Sequence, residues 1–220
     1  MVRDNQGLAV TLCDTAALNA YNDAVAEWLD YKITAMRRLK PASAIDADVC
    51  MAHCFRGDRF VTFNSAAVLP AEFSALAKAQ ALATTASPRE QRHVAALRHL
   101  LDGAPHKACA CWDEIVAAHP HDIVALRMHH YTCFWSGYRQ QLSSTPAAVL
   151  SAWDKTIPHY GNLLGMVAFG LEELGLYSAA ERYGREATAQ NPNDLWAVHA
   201  VAHVMEMQQR SKDGIGWLDY

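Results

Sequence analysis

Two four-residue segments, His119-Pro120-His121-Asp122 and Asn191-Pro192-Asn193-Asp194, stand 72 positions apart, and each closes a helix-forming stretch. Seventy-two residues make two units of 36, close to twice the period of about 34 residues typical of tandem helix hairpins. In YSAAERYGREATAQNPND, Ala180 and Ala187 are seven apart and Pro192 follows five later. Small residues at such places let the second helix of a hairpin lie close to the first, and proline then stops the hydrogen-bond ladder. HKACACWDEIVAAHPHD fits the same template, with Ala108, Trp112 and Ile115 at the inter-helix positions and Pro120 at the terminal one. The helix before the later segment supplies Leu164, Gly165 and Phe169, with Leu171 and Leu174 on the same side. Repetition in phase favours a stack of hairpins over an irregular bundle.

The rest of the chain is compatible with that frame. Strand signals are nearly absent, and apolar residues recur at three and four through windows rich in Ala, Leu, Glu, Gln, Arg and Met. The pattern predicts helices near 14–39, 46–64, 70–85, 88–102, 105–118, 121–136, 145–155, 158–174, 177–190 and 193–209. Asp14, Asp46, Ser87-Pro88 and Asn193 are the expected start signals. The expected architecture is all-α, a right-handed α-superhelix of tetratricopeptide-like hairpins (an α-solenoid). It forms one domain over 1–220, with divergent helices over 1–87, repeat units at 88–120, 121–156 and 157–192, and an incomplete final repeat at 193–220. The unit 121–156 is degenerate, with a connection expected around Leu142 to Pro146, and SKDGIGWLDY reads as a turn. Solenoids need a polar terminal face, so Ile215, Trp217 and Leu218 suggest a truncated array or a homodimer through that edge.

Composition excludes several classes. The chain carries 19 Lys and Arg against 23 Asp and Glu, a formal net charge of −4. That disfavours nucleic acid, which demands a basic face, and a polybasic membrane surface. The most apolar stretch, Leu163 to Leu171, meets Glu172 and Glu173 far short of the roughly 20 residues of a membrane span. The start MVRDNQG has no apolar signal region. Cys13, Cys50, Cys54, Cys109, Cys111 and Cys133 read as reduced, buried thiols, and the expected compartment is the cytoplasm.

HKACACWDEIVAAHPHDIVALRMHHYTCFWSGY and YGNLLGMVAFGLEELGLYSAAERYGREATAQNPNDLWAVHAVAHVMEMQQRSKDGIGWL resemble the tetratricopeptide repeat protein 38 family, most closely over 89–218. IDADVCMAHCFRG at 45–57 is similar to that family's run of acidic residue, small apolar residues, His and Gly. The resemblance implies an α-superhelix and places this chain in the N-terminal half of such proteins. It implies no particular activity.

The sharpest chemical motif is HAVAHVMEM, which puts His199, His203 and Glu206 at i, i+4 and i+7 on one helix face. Two helical His and a carboxylate suit a divalent metal such as zinc. The zincin motif H-E-x-x-H is absent, because position 200 is Ala. Set against the metal reading, both imidazoles fall where a first helix packs on its neighbours. His53, His93, His99, His129 and His130 fall on other first helices, and with Arg92, Arg127 and Glu173 they are candidates to line one polar groove. Cys50-Met51-Ala52-His53-Cys54 offers soft ligands without zinc-ribbon spacing. No nucleophile elbow, P-loop or dinucleotide fingerprint occurs, and no catalytic residue is assigned. Gly161, Gly165, Gly170, Gly175 and Gly184 are expected to let helices approach or end, and Trp112, Trp135, Trp153 and Trp196 to be core.

Three functions are then in play. The first is a non-catalytic module that binds a protein or peptide partner in its concave groove. The second is a metal- or small-ligand-binding protein or enzyme using a His-rich groove. The third is a fragment of a longer repeat protein.

Overall fold

A computed structural model describes residues 2–12, 14–35, 37–38, 49–61, 67 and 69–219. Beyond a two-residue strand pair, its regular elements are helical. In chain order they are β1 (Val2–Arg3), β2 (Ala9–Val10), α1 (Thr15–Leu29), α2 (Cys50–Val61), α3 (Leu69–Ala83), α4 (Pro88–Leu101), α5 (Pro105–Ala118), α6 (Ile123–Ser136), α7 (Arg139–Val149), α8 (Tyr160–Glu173), α9 (Tyr177–Gln190), α10 (Leu195–Met207) and α11 (Ser211–Leu218). They form two compact units: Met1–Trp28 with Lys32–Thr132, and Leu29–Tyr31 with Cys133–Tyr220.

From α4 onward, one turn recurs between the two helices of each hairpin. Gly103, Gly137, Gly175 and Gln209 all take a left-handed φ, of 68°, 74°, 75° and 57°. At each, the next residue's N–H returns five residues to a carbonyl: Ala104 to His99 at 2.9 Å, Tyr138 to Cys133 at 2.8 Å, Leu176 to Leu171 at 2.9 Å and Arg210 to Met205 at 2.8 Å. This is the Schellman ending, which satisfies carbonyls that the helix leaves open. The four turns are 34, 38 and 34 residues apart. The links between hairpins also match. Asp122 accepts from the N–H of Ala125 at 2.9 Å, and Asp194 accepts from those of Trp196 and Ala197 at 3.0 and 3.4 Å.

In the first unit, α2 packs on α3 and α4, and α4 on α5. Its apolar centre includes Cys50, Cys54, Leu76, Ala79, Val94 and Leu97. Trp28 meets Phe55 edge-on, with ring centroids 5.0 Å apart. Ser87 and Glu90 form a capping box at the start of α4, and Asp14 receives the Ala17 N–H at 3.0 Å, so both start signals operate. The expected cap Asp46 lies outside the described residues. The helix expected over 14–39 ends at Leu29, because Tyr31 turns to φ 57° and Lys32 N–H returns to Glu27 at 2.8 Å.

In the second unit, α8 packs on α7, α9 and α10, and α9 also packs on α10. Small residues set these distances. A Cβ at Gly170 would stand 2.6 Å from Ser143 Cα, and one at Gly184 would stand 2.4 Å from Val201 Cγ2. Three expectations are corrected here. Residues 139–149 are helical, carrying Pro146 inside α7, where a connection was expected; the close seat on Gly170 holds the segment against α8 despite a lost ladder bond. The cap of α10 is Asp194, not Asn193. SKDGIGWLDY contains a helix, α11, tied down by Trp217 Nε1 donating to Val198 O at 3.0 Å and by Arg210 binding Glu181 and Asp213.

Candidate functional site

The first unit buries a cluster of its polar residues. Asp122, at the start of α6, is buried and takes Arg89 Nη1 at 2.6 Å and His93 Nε2 at 3.0 Å on the same oxygen. Arg89 also donates to Ala9 O at 2.9 Å, and Glu90 accepts from the N–H and hydroxyl of Thr11 at 3.0 and 2.5 Å. The N-terminal hairpin is thereby tied to α4. Burial by itself would push the Asp122 carboxyl up, but His93, Arg89 and the Ala125 N–H together hold it well below the usual carboxylate range. Asp58 on α2 is the contrasting case. It is fully buried, neither oxygen has a hydrogen-bond partner among the described residues, and burial with the nearby Asp122 charge pushes its carboxyl well up.

Five candidate groove residues belong to this interior. His53, His93, Arg127, His129 and His130 are at most 3 % exposed. His129 Nε2 stands 3.2 Å from Asp113 Oδ1, and the Arg127 guanidinium lies 5.6 Å over the Tyr131 ring. They are packed side chains, not the lining of an open surface. His99 is half-buried, Arg92 is exposed and pairs with Glu114, and Glu173 belongs to the other unit. Cys50, Cys54, Cys109, Cys111 and Cys133 are buried, with Cys50 and Cys54 in the apolar centre, and Cys13 lies outside the described residues.

The second unit has an accessible site. Along α10, Trp196, His199 and His203 present their rings in a row. Trp196 stacks on Phe169 of α8 at 4.3 Å and 23°, and on His199 at 6.2 Å and 13°. His199 lies 4.2 Å from His203, and Tyr31 stacks on Trp196 at 6.3 Å. Phe134, near the end of α6, meets Trp196 and Phe169 edge-on, and Trp135 beside it is 72 % exposed. Trp112 and Trp153 are buried as expected, whereas Trp135 is exposed and Trp196 half-buried.

Carboxylates edge this row. Glu172 Oε2 approaches His203 Nδ1 at 3.8 Å, too far for a hydrogen bond. Burial raises the Glu172 carboxyl, an effect the His203 charge opposes. Glu173 stands 3.8 Å from Arg139 Nε, and Glu206 is exposed. Burial and the neighbouring His203 both lower the His199 imidazole, with Glu206 acting against them. His199, His203 and Glu206 therefore share a face, as their spacing implies, but Glu172 is the carboxylate at His203. Imidazole lone pairs lie in the ring plane, so these two rings, facing each other at 4.2 Å with a 37° tilt, aim both at one ion only after rotating.

Phe169, Glu172, Phe134 and Trp135 were not among the sequence candidates. Aligned on the recurring turn, Phe169 and His203 each lie six residues before it, and Phe134, Glu172 and Glu206 each lie three before it. That register marks Phe169, Phe134 and Glu172, though not Trp135. No protein-family model matches this chain, and no solved structure matches it.

Proposed function

We propose that this chain is a tetratricopeptide-like superhelical interaction module, and that the ring row of its second unit takes an extended peptide from a partner protein. The observation that carries the reading is the accessible row of Trp196, His199 and His203, backed by Phe169 and flanked by exposed Trp135. Aromatic side chains held rigidly by neighbours give large contact area at low entropic cost and anchor most binding energy at interfaces. The hairpin period and the resemblance to the tetratricopeptide repeat protein 38 family support the fold part of the reading, because such repeats present first-helix faces to ligands. A random peptide library displayed against immobilised protein tests it. Enriched peptides should bind the wild type and lose about tenfold or more with Trp196→Ala, while far-UV circular dichroism stays unchanged. Peptides indifferent to Trp196, or no enrichment, would remove the reading.

Exposed Ile215 and Leu218, at 63 % and 61 %, support a second reading, a homodimer through α11. Sedimentation velocity showing a monomer at every concentration would dispose of it.

A further inference from the structure

We propose that the side chain recognised on this face is an arginine of the partner peptide, its guanidinium lying on the ring row and donating to Glu172. The inference rests on the interaction-module reading and names the chemistry of the ligand. Its first support is an acceptor that faces the His203 imidazole at 3.8 Å without a formed hydrogen bond. Glu172 is 7 % exposed, and its Oε2 has no hydrogen-bond partner among the described residues. A buried carboxylate oxygen without a donor is costly, and a charged donor from a ligand recovers that cost.

The second support is charge. Glu172 stands at His203, Glu206 acts on His199, and Glu173 acts on Glu172 and stands near Arg139 of α7, so three acidic groups bear on this part of the second unit. The pairs with His203 and Arg139 are both 3.8 Å apart, so neither is a formed hydrogen bond. The third support is shape. Phe169, Trp196 and His199 stack within 13° to 27° of one another; Phe169 is the buried end, and the half-buried Trp196 and exposed His199 offer ring surface that suits a planar, weakly hydrated cation. A guanidinium stacks on such a surface while its edge offers two parallel N–H groups to a carboxylate. A lysine ammonium is a compact, strongly hydrated charge and gains less from the plane.

Three capped pentapeptides, with alanine on both sides of a central arginine, citrulline or lysine, make the test. Citrulline keeps the planar shape and loses the charge. Binding is read from the indole N–H resonances in heteronuclear NMR titrations of the whole chain. The arginine peptide should bind about tenfold or more tightly than the citrulline peptide, with lysine between them. Glu172→Gln should bring arginine and citrulline to equal affinity without changing the circular dichroism. Equal binding of citrulline to the wild type, or an arginine preference that survives Glu172→Gln, overturns the guanidinium inference and leaves the module reading in place. The same holds if the library enriches peptides that depend on Trp196 and lack arginine. Indole resonances that ignore all three peptides overturn the inference, and the library result then decides the module reading separately.

Discussion

Each unit gathers imidazoles, carboxylates and aromatic rings, and the two use them in opposite ways. In the first, the Arg89 guanidinium and His93 Nε2 both meet the buried Asp122 carboxylate, so that carboxylate's chemistry is consumed in holding α4, α6 and the N-terminal hairpin together. In the second, the rings of Trp196, His199 and His203 stay accessible, and the buried Glu172 has an oxygen left over. Titratable groups in a cluster thus mean little by themselves. What separates a structural cluster from a binding face is whether its hydrogen-bonding capacity is already spent and whether water reaches it.

The strongest challenge to this contrast is removal of the Asp122 carboxylate. Asp122→Ala leaves the Arg89 guanidinium buried without its charge partner and deletes the first N–H acceptor of α6. Losing one side of a buried pair costs about 3–5 kcal/mol. Urea denaturation followed at 222 nm should register that loss, whereas Glu172→Gln should leave the curve almost in place. If the two variants unfold alike, the contrast between spent and unspent polar groups fails.

Next in size is Gly170→Ala in the second unit. Its Cβ would meet Ser143 Cα at 2.6 Å, and backbone yields poorly. Overpacking of this kind costs about 1–3 kcal/mol, again read from urea curves. An unchanged midpoint would mean that α7, with Pro146 inside it, does not seat on α8 as described.

Much of this was legible beforehand, for identifiable reasons. Ala180, Ala187 and Pro192 gave the hairpin because contact size and the missing proline N–H act locally. The Ser87-Glu90 capping box is likewise a local signal. Pro146 misled because its helix survives on tertiary contact with Gly170, which propensity does not register. Five groove candidates, His53, His93, Arg127, His129 and His130, turned out buried: helical spacing says that residues share a face, and cannot say whether that face meets water. Trp135 failed in the other direction, at 72 % exposure. Gly103, Gly137 and Gly175 mark the hairpin turns in the sequence itself, but their meaning comes from a left-handed φ that a residue letter only permits.

Asp58 sharpens the comparison through pH. Its carboxyl is raised by burial, so the folded state keeps a proton that the unfolded chain, near its ordinary value of 3.8, releases. Stability from this group is therefore present at low pH and falls as pH rises towards the folded value. Asp122 has the reverse sign: its contribution is present above 3.8 and is lost on acidification through its depressed value. Asp58→Asn should flatten only the former slope, which is bounded by about 1.4 kcal/mol per pH unit. Urea midpoints for both proteins at pH 5, 6 and 7 measure it. A wild-type-minus-variant difference that stays constant with pH would show that Asp58 gives up its proton as readily folded as unfolded.

The smallest expected effect on stability belongs to Trp135→Ala, and that smallness is what the binding-face reading requires. A core tryptophan truncated to alanine costs about 3–5 kcal/mol. A side chain that is 72 % exposed and touches Phe134 edge-on at 5.1 Å removes little area from water, so the change should stay within about 0.5 kcal/mol. The same substitution should weaken any library peptide whose binding depends on Trp196, because Phe134 links both indoles to one surface. A urea midpoint that falls as it would for Trp112, which is fully buried, would make Trp135 part of the packing and shrink the face to α8 and α10. Stability held and affinity lost would extend it to the end of α6.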